Sequence, residues 1–194
     1  MLRESISQMK TAVCLLMLLM LITGLLYPLL VTVLAQFFFP QQANGRLIEK
    51  NGQLIGSVLI GQAFYSPHYF WGRPSATQPF PYNAAASSGS NMGPSNPDFL
   101  ANLHKRVQFL QKFNGDNNSF IPVDLITASA SGLDPEISPI AAFYQVPRIA
   151  NARHLQATVI QDLITKYTKD RTLTLLGEPR VNVLQLNLAL DELK

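Results

Sequence analysis

From Ala12 to Leu34 the chain reads AVCLLMLLMLITGLLYPLLVTVL, with nothing more polar than Thr23, Tyr27 and Thr32. No Asp, Glu, Lys or Arg occurs between Lys10 and Arg46. At roughly 1.5 Å per residue this stretch makes a helix about 35 Å long, enough to cross a hydrocarbon core of roughly 30 Å with modest tilt. Gly24 and Pro28 would break a helix in water but are tolerated in a bilayer. Phe37, Phe38 and Phe39 close the run at what would be an interface. A cleaved signal peptide competes with this reading, because Val33-Leu34-Ala35 offers small residues before Gln36; the length of the apolar stretch favours a retained anchor. Basic residues barely set the orientation, with Arg3 and Lys10 on one flank and Arg46 and Lys50 on the other. The short N-terminal tail places the N-terminus in the cytoplasm and the rest of the chain across the membrane.

Beyond the anchor the pattern alternates between short apolar runs and turn formers. Leu54 to Ile60, ended by Gly61, predicts a buried first strand. Phe64, Tyr65, His68, Tyr69, Phe70 and Trp71 form an aromatic patch, read as core plus a turn in preference to a partner-binding surface. Residues 79–97 carry Pro, Asn, Ser and Gly without a single charge, which predicts an ordered loop packed on something. Asn96-Pro97 caps a helix running to about Lys112, with Phe99, Leu103, Val107 and Leu110 at helical spacing.

Gly115–Ser119 read as a polar turn, and Val123–Thr127 as a short strand or tight connection. Ser138-Pro139 opens a helix over Ile140–Gln145, Pro147 starts another that runs to about His154, and Ala157–Tyr167 is a third. Leu173–Leu176 is strand-like, Gly177-Glu178-Pro179 is a turn, and Val181–Leu193 predicts a brief strand and then a helix. The expected fold is a single N-terminal transmembrane helix followed by a small α/β (α+β) extracytoplasmic domain. Its boundaries are a cytoplasmic tail 1–11, the span 12–34, a linker and start of the soluble domain 35–52, and the soluble domain 53–194.

Composition narrows the function. Apolar residues are 47% of the chain and charged residues 14%, well below a soluble average of roughly 25%. The formal net charge of +3 is too weak and dispersed for a nucleic-acid binder. The lone Cys14 supports neither a disulfide framework nor a thiolate metal site. No nucleophile elbow, P-loop, dinucleotide fingerprint or spaced His pair is present, so no catalytic residue and no metal are assigned. The remaining block is Thr127–Arg153. Ser129, Ser131 and Gly132 would expose backbone N–H groups in an anion-binding nest, with Gln145, Arg148 and Arg153 along one edge of the helices that follow. Two caps and a turn that merely position those helices explain the block as well.

With these residues in view, the chain resembles the C chains of the bacterial Kdp potassium-transporting ATPases, P-type pumps with separate channel-like, ATP-hydrolysing and small accessory subunits. The resemblance spans nearly the whole sequence. It rests on the anchor ending near Tyr27-Pro28, Gly56-Ser57 to Phe64, Tyr69-Phe70 to Arg73-Pro74-Ser75, and Tyr82-Asn83 with Ser88-Gly89-Ser90-Asn91 to Gly93-Pro94. It continues through Pro122-Asp124-Leu125, Ser131-Gly132-Leu133-Asp134-Pro135, Ile137-Ser138-Pro139, Gln145 with Arg148 to Arg153, and Gly177-Glu178-Pro179-Arg180-Val181-Asn182-Val183-Leu184 with Leu186-Asn187. Ala130 and Ser88 depart from it, each standing where the family pattern usually has Gly.

The resemblance implies a non-catalytic inner-membrane subunit with its folded part outside, in complex with the ATP-hydrolysing and potassium-channel-like subunits. ATP and potassium would be handled through that complex, and the chain would have no cofactor of its own. The family is also described as a catalytic chaperone that raises the ATP affinity of the hydrolysing subunit. On that basis Ser129, Ser131, Gly132, Gln145 and Arg148 are candidate nucleotide contacts. Since ATP is hydrolysed in the cytoplasm, either the orientation is reversed or the domain acts indirectly, through the span and the pump's conformation, and the second is favoured mechanistically. Phe70, Trp71, Arg73, Asn83, Ser90 and Asn91, from the aromatic patch and the uncharged loop, are candidate partner contacts. Asp134 and Glu136 would concentrate cations if the domain covers a potassium entrance. The rival reading is an anchored or secreted binding protein or hydrolase that acts alone.

Overall fold

A computed structural model describes residues 2–114 and 120–193; the expected turn at Gly115–Ser119 lies outside them. The chain divides into two compact units, 1–47 and 48–194.

The first unit is helical. α1 (Leu2–Leu21) runs through one π-helical turn (Ile22–Leu26) into α2 (Tyr27–Phe38), and α3 (Pro40–Ala43) follows. Glu4–Phe38 is long and apolar enough to cross a membrane, and none of it is buried within the chain. The helix therefore extends beyond the expected 12–34 at both ends. Its C-terminal end is tied by side chains, Gln36 and Asn44 exchanging amide hydrogen bonds at 3.2 and 3.1 Å.

The second unit begins with a hairpin where the sequence predicted a linker. β1 (Leu47–Lys50) pairs with β2 (Gln53–Ser57) across Asn51-Gly52, both in the left-handed region at φ 54° and 73°. Asn-Gly is the favoured pair for such a turn, because both central residues need positive φ. The strand expected over Leu54–Ile60 is thus shorter and shifted towards the N-terminus, and it is not buried: Leu54 is 60% exposed. A long loop with one 3₁₀ turn (Ala84–Ala86) leads to α4 (Pro97–Asn114), capped by the Asn96 side chain accepting from Asp98 N at 2.8 Å. Val123–Leu125 is a 3₁₀ turn, the tight connection of the two alternatives.

The C-terminal part follows its local signals closely. α5 (Pro139–Tyr144) is capped by Ser138 accepting from Ala141 N, α6 (Val146–Arg153) starts with Pro147 in its first turn, and α7 spans Ala157–Tyr167. β3 (Glu136–Ile137), β4 (Thr168–Lys169) and β5 (Arg180–Asn182) form an antiparallel sheet with β5 in the centre. α8 (Val183–Leu190) leaves β5 without a loop, because the Asn182 side chain caps it by accepting from Gln185 N at 3.0 Å.

The core gathers Ile149, Ile160, Ile164, Val181, Leu186 and Leu190 with Phe70 and Trp71. The strand expected at Leu173–Leu176 is instead a turn closed by a single bridge, Thr172 to Leu176. Leu173, Leu175 and Leu176 are exposed there, and the left-handed φ of Leu173 and Thr174 prevents an extended strand.

Candidate functional site

Residues 66–72 cross the core without belonging to a sheet, so their backbone groups need partners from side chains. Amides provide them. Gln145 accepts from Trp71 N at 2.8 Å and donates to Trp71 O at 3.2 Å. Asn187 does the same for Phe70, at 2.8 and 3.0 Å. Each carboxamide thus substitutes for a neighbouring strand.

Arg148 fastens the segment further. Its Nη1 donates to the carbonyls of Pro67 and Tyr69, its Nη2 to Gln145 Oε1 at 2.7 Å, and its Nε to Asn114 Oδ1 at 3.1 Å. Its guanidinium lies 3.7 Å from the centroid of the Trp71 ring, a cation–π geometry. Burial, followed by the nearby Arg106 charge, pulls the Arg148 pKa down to about 9, which leaves it protonated at neutral pH. Arg153 holds the carbonyl between those of Pro67 and Tyr69, donating to His68 O, and pairs with Asp191 at 2.6 Å.

A second set of contacts joins Pro74, Ser75 and the uncharged loop that follows to the Ser129–Gly132 segment. Ser88 N donates to Ser131 O at 3.0 Å, Ser75 Oγ to Gly132 O at 2.7 Å, and Ser129 N to Pro74 O at 3.4 Å. Gly132 has φ 68°, and a Cβ there would lie 2.6 Å from Ser88 O, so two independent constraints require glycine. Tyr82 is wedged into the base of the loop, its hydroxyl donating to Arg73 O at 2.6 Å. A Cβ on Gly72 would sit 2.7 Å from that hydroxyl. Burial raises the Tyr82 pKa to about 12.

Beside this zipper lies an open cavity of about 480 Å³ between the loop, α4 and the 126–128 segment, with Ser90, Met92 and Phe99 among its walls. Among the described residues, no charged side chain lines it.

The nominated nucleotide contacts therefore fall into two separate groups. Gln145 is fully buried and Arg148 nearly so, with their polar atoms engaged inside the core. Of the expected nest, Ser129 N is bonded to Pro74 O and Gly132 N to Ser129 O, while Ser131 is exposed and its hydroxyl accepts from the neighbouring Leu133 N. Those amides hold a turn and do not converge on an open anion site.

The nominated partner contacts also separate. Phe70 and Trp71, at 0% and 1% exposure, are core and leave no face for another chain, which corrects their candidacy as surface contacts. Arg73 is half-buried and paired with Asp134 at 3.2 Å. Asn83 is half-buried and caps the 3₁₀ turn, while Ser90 and Asn91 are exposed. Glu136 pairs with Arg180 at 3.1 Å, so the two carboxylates proposed to concentrate cations each face an arginine. Asn114, Asn182 and Asn187 were missed from sequence; an asparagine within an apolar run, as at Asn187, was the available signal.

A family model described as KdpC, the c chain of the K+-transporting ATPase, matches residues 9–192. The chain belongs to the KdpC family. A potassium-transporting ATPase KdpC subunit from Methylococcus capsulatus is 58% identical over 189 residues, covering 97% of this chain and 100% of that one. One from Herpetosiphon aurantiacus is 61% identical over 173 residues, covering 89% and 90%, and one from Paraburkholderia phytofirmans is 55% identical over 173 residues, with the same coverage. As a KdpC chain it is an accessory subunit of the potassium pump. Arg148 and Gln145, chosen as ligand contacts, are in this KdpC chain the clamp that holds the 66–72 segment in place.

Proposed function

We propose that this chain is a single-span subunit with a cytoplasmic N-terminus and an extracytoplasmic folded unit, which supports assembly and ATP turnover of the potassium pump without contacting nucleotide itself. The observation that carries the reading is the internal commitment of Gln145 and Arg148, together with the spent amides of Ser129, Gly132 and Leu133. A triphosphate needs converging cations or free N–H donors. The uncharged cavity beside the zipper supplies no cation.

In this reading the folded unit lies outside the membrane and has no access to cytoplasmic ATP. Any chaperone effect on ATP affinity then passes through pump conformation, as a coupling between distant sites. Ser90 and Asn91, on an exposed loop anchored rigidly from beneath, are the surface offered to the channel-like subunit.

The test is protease access to the folded unit in intact spheroplasts and in inverted vesicles, with photolabelling of the complex by an azido-ATP. Cleavage from outside, loss of pump activity and no label on this chain is the expected result. Cleavage only in inverted vesicles, with label on residues 129–153, would overturn it.

A further inference from the structure

The N-terminal helix changes hydrogen-bond register in the middle of its apolar stretch, and the change leaves carbonyls over. Tyr27 N–H reaches back five residues to the Ile22 carbonyl, where an α-helix would reach Thr23. Pro28, next along, has no N–H and so supplies nothing to Gly24. The α-helical ladder resumes behind its N-cap, Leu26, whose carbonyl takes the Leu30 N–H. For the carbonyls of Thr23, Gly24 and Leu25 the backbone has one donor left, that of Leu29, and two of the three go without. The Thr23 hydroxyl offers no relief, since it donates to the Leu19 carbonyl at 2.7 Å. Water would meet this shortage, but hydrocarbon cannot. The same turn is thinly covered: a Cβ built on Gly24 would meet nothing within 4 Å, so another helix can come close to the bared carbonyls.

Resting on the single-span reading above, we infer that the π-turn at Ile22–Leu26 is the docking point for a transmembrane helix of another subunit of the pump. That helix presents a hydroxyl, amide or indole N–H to the Thr23–Leu25 carbonyls near mid-membrane. The complementarity is one of donors and acceptors: this face is rich in acceptors and poor in donors. A second copy of the chain is the poorer occupant, because at this turn it sets carbonyls against carbonyls, with the Tyr27 hydroxyl to offer in return and the Thr32 hydroxyl two turns further along.

The experiment uses the whole complex in liposomes, with Cys14→Ser and single nitroxide-labelled cysteines. Met20→Cys and Val31→Cys flank Gly24 on its own face, while Leu18→Cys and Leu29→Cys lie across the helix. Collisions with oxygen report lipid exposure, and collisions with a water-soluble nickel chelate report aqueous exposure. The expected result is shielding of positions 20 and 31 from both reagents, with oxygen collisions several-fold lower than at 18 and 29. Pro28→Ala, which restores the missing N–H, and Gly24→Leu, which blocks close approach, then lower the fraction of this chain retained with the pump in mild detergent. Leu18→Ala does not.

Equal oxygen access at all four positions overturns the docking point while leaving the span intact. Nickel access confined to positions 20 and 31 reveals a water-filled groove and also overturns it. Spin–spin coupling between two labelled copies assigns the face to self-pairing, against the inference. Nickel access at every position overturns the span itself, and the docking point with it.

Discussion

At the scale of single residues, the folded unit depends on side chains doing the work of a missing strand. Trp71 is the only tryptophan in the chain, so its fluorescence reports this region directly. Gln145→Leu strands the Trp71 N–H and C=O inside the core, at about 1–3 kcal/mol for each group left unsatisfied. The expected outcome is a red-shifted Trp71 emission and an earlier denaturant midpoint in detergent-solubilised full chain. Arg148→Lys keeps the charge but loses the forked contacts to Pro67, Tyr69, Asn114 and Gln145, and is expected to fall nearly as far. Were either residue a nucleotide contact and not a clamp, ATP-dependent activity would fall while the midpoint stayed put.

Tyr82 gives the pH signature. Its folded pKa, about 12, lies above its ordinary value of 10. Its contribution to stability is therefore fully present below about pH 10 and is lost as pH rises towards 12. Arg148, whose folded pKa is depressed from 12.5 to about 9, works in the opposite sense over an overlapping range. The quantity to measure is thus the difference in stability between the natural chain and Tyr82→Phe, which should shrink across that window.

At the scale of elements, the uncharged loop is held by backbone contacts that tolerate little added bulk. Gly132→Ala combines a left-handed φ with a Cβ 2.6 Å from Ser88 O. It should cost about 1–3 kcal/mol and expose the 79–92 segment to limited proteolysis. Ser90→Asp, at an exposed position on the same loop, should leave stability within about 0.5 kcal/mol of the natural chain. It should still reduce recovery of this chain with the pump if the loop faces the channel-like subunit.

Legibility varied among these elements for identifiable reasons. Helix starts marked by a proline, capped at Ser138-Pro139 and uncapped at Val146-Pro147, were readable because the signal is local. The hairpin at Asn51-Gly52 was also readable in principle, but the apolar run beginning at Leu54 drew the strand one turn too far along. Leu173–Leu176 looked like a strand by composition; the left-handed φ of Leu173 and Thr174 turns the chain back on itself there and leaves its leucines exposed.

At the scale of the whole molecule, the two units have different sources of stability. Residues 48–194 contain their own core, so a fragment of these residues should unfold cooperatively with Trp71 as probe. It should show no ATP binding by equilibrium dialysis, whereas measurable binding would revive a nucleotide role. Among the described residues, Glu4–Phe38 bury no side chain within the chain, so under the single-span reading proposed above the helix takes its setting from lipid and from other subunits.

Short-range chemistry makes several features legible in the chain: an apolar helix without charge, the cap of α5, the prolines that begin α5 and α6, the uncharged loop, and the family blocks that mark a pump subunit. How those pieces use their polar atoms follows from long-range packing alone. Gln145 and Arg148 look from sequence like groups available to a ligand; whether a carboxamide or guanidinium meets solvent or a buried carbonyl depends on residues far away in the chain. Here the groups it meets belong to residues 67–71, more than seventy positions from Gln145, and pairing with them turns candidate binding residues into the framework of the fold.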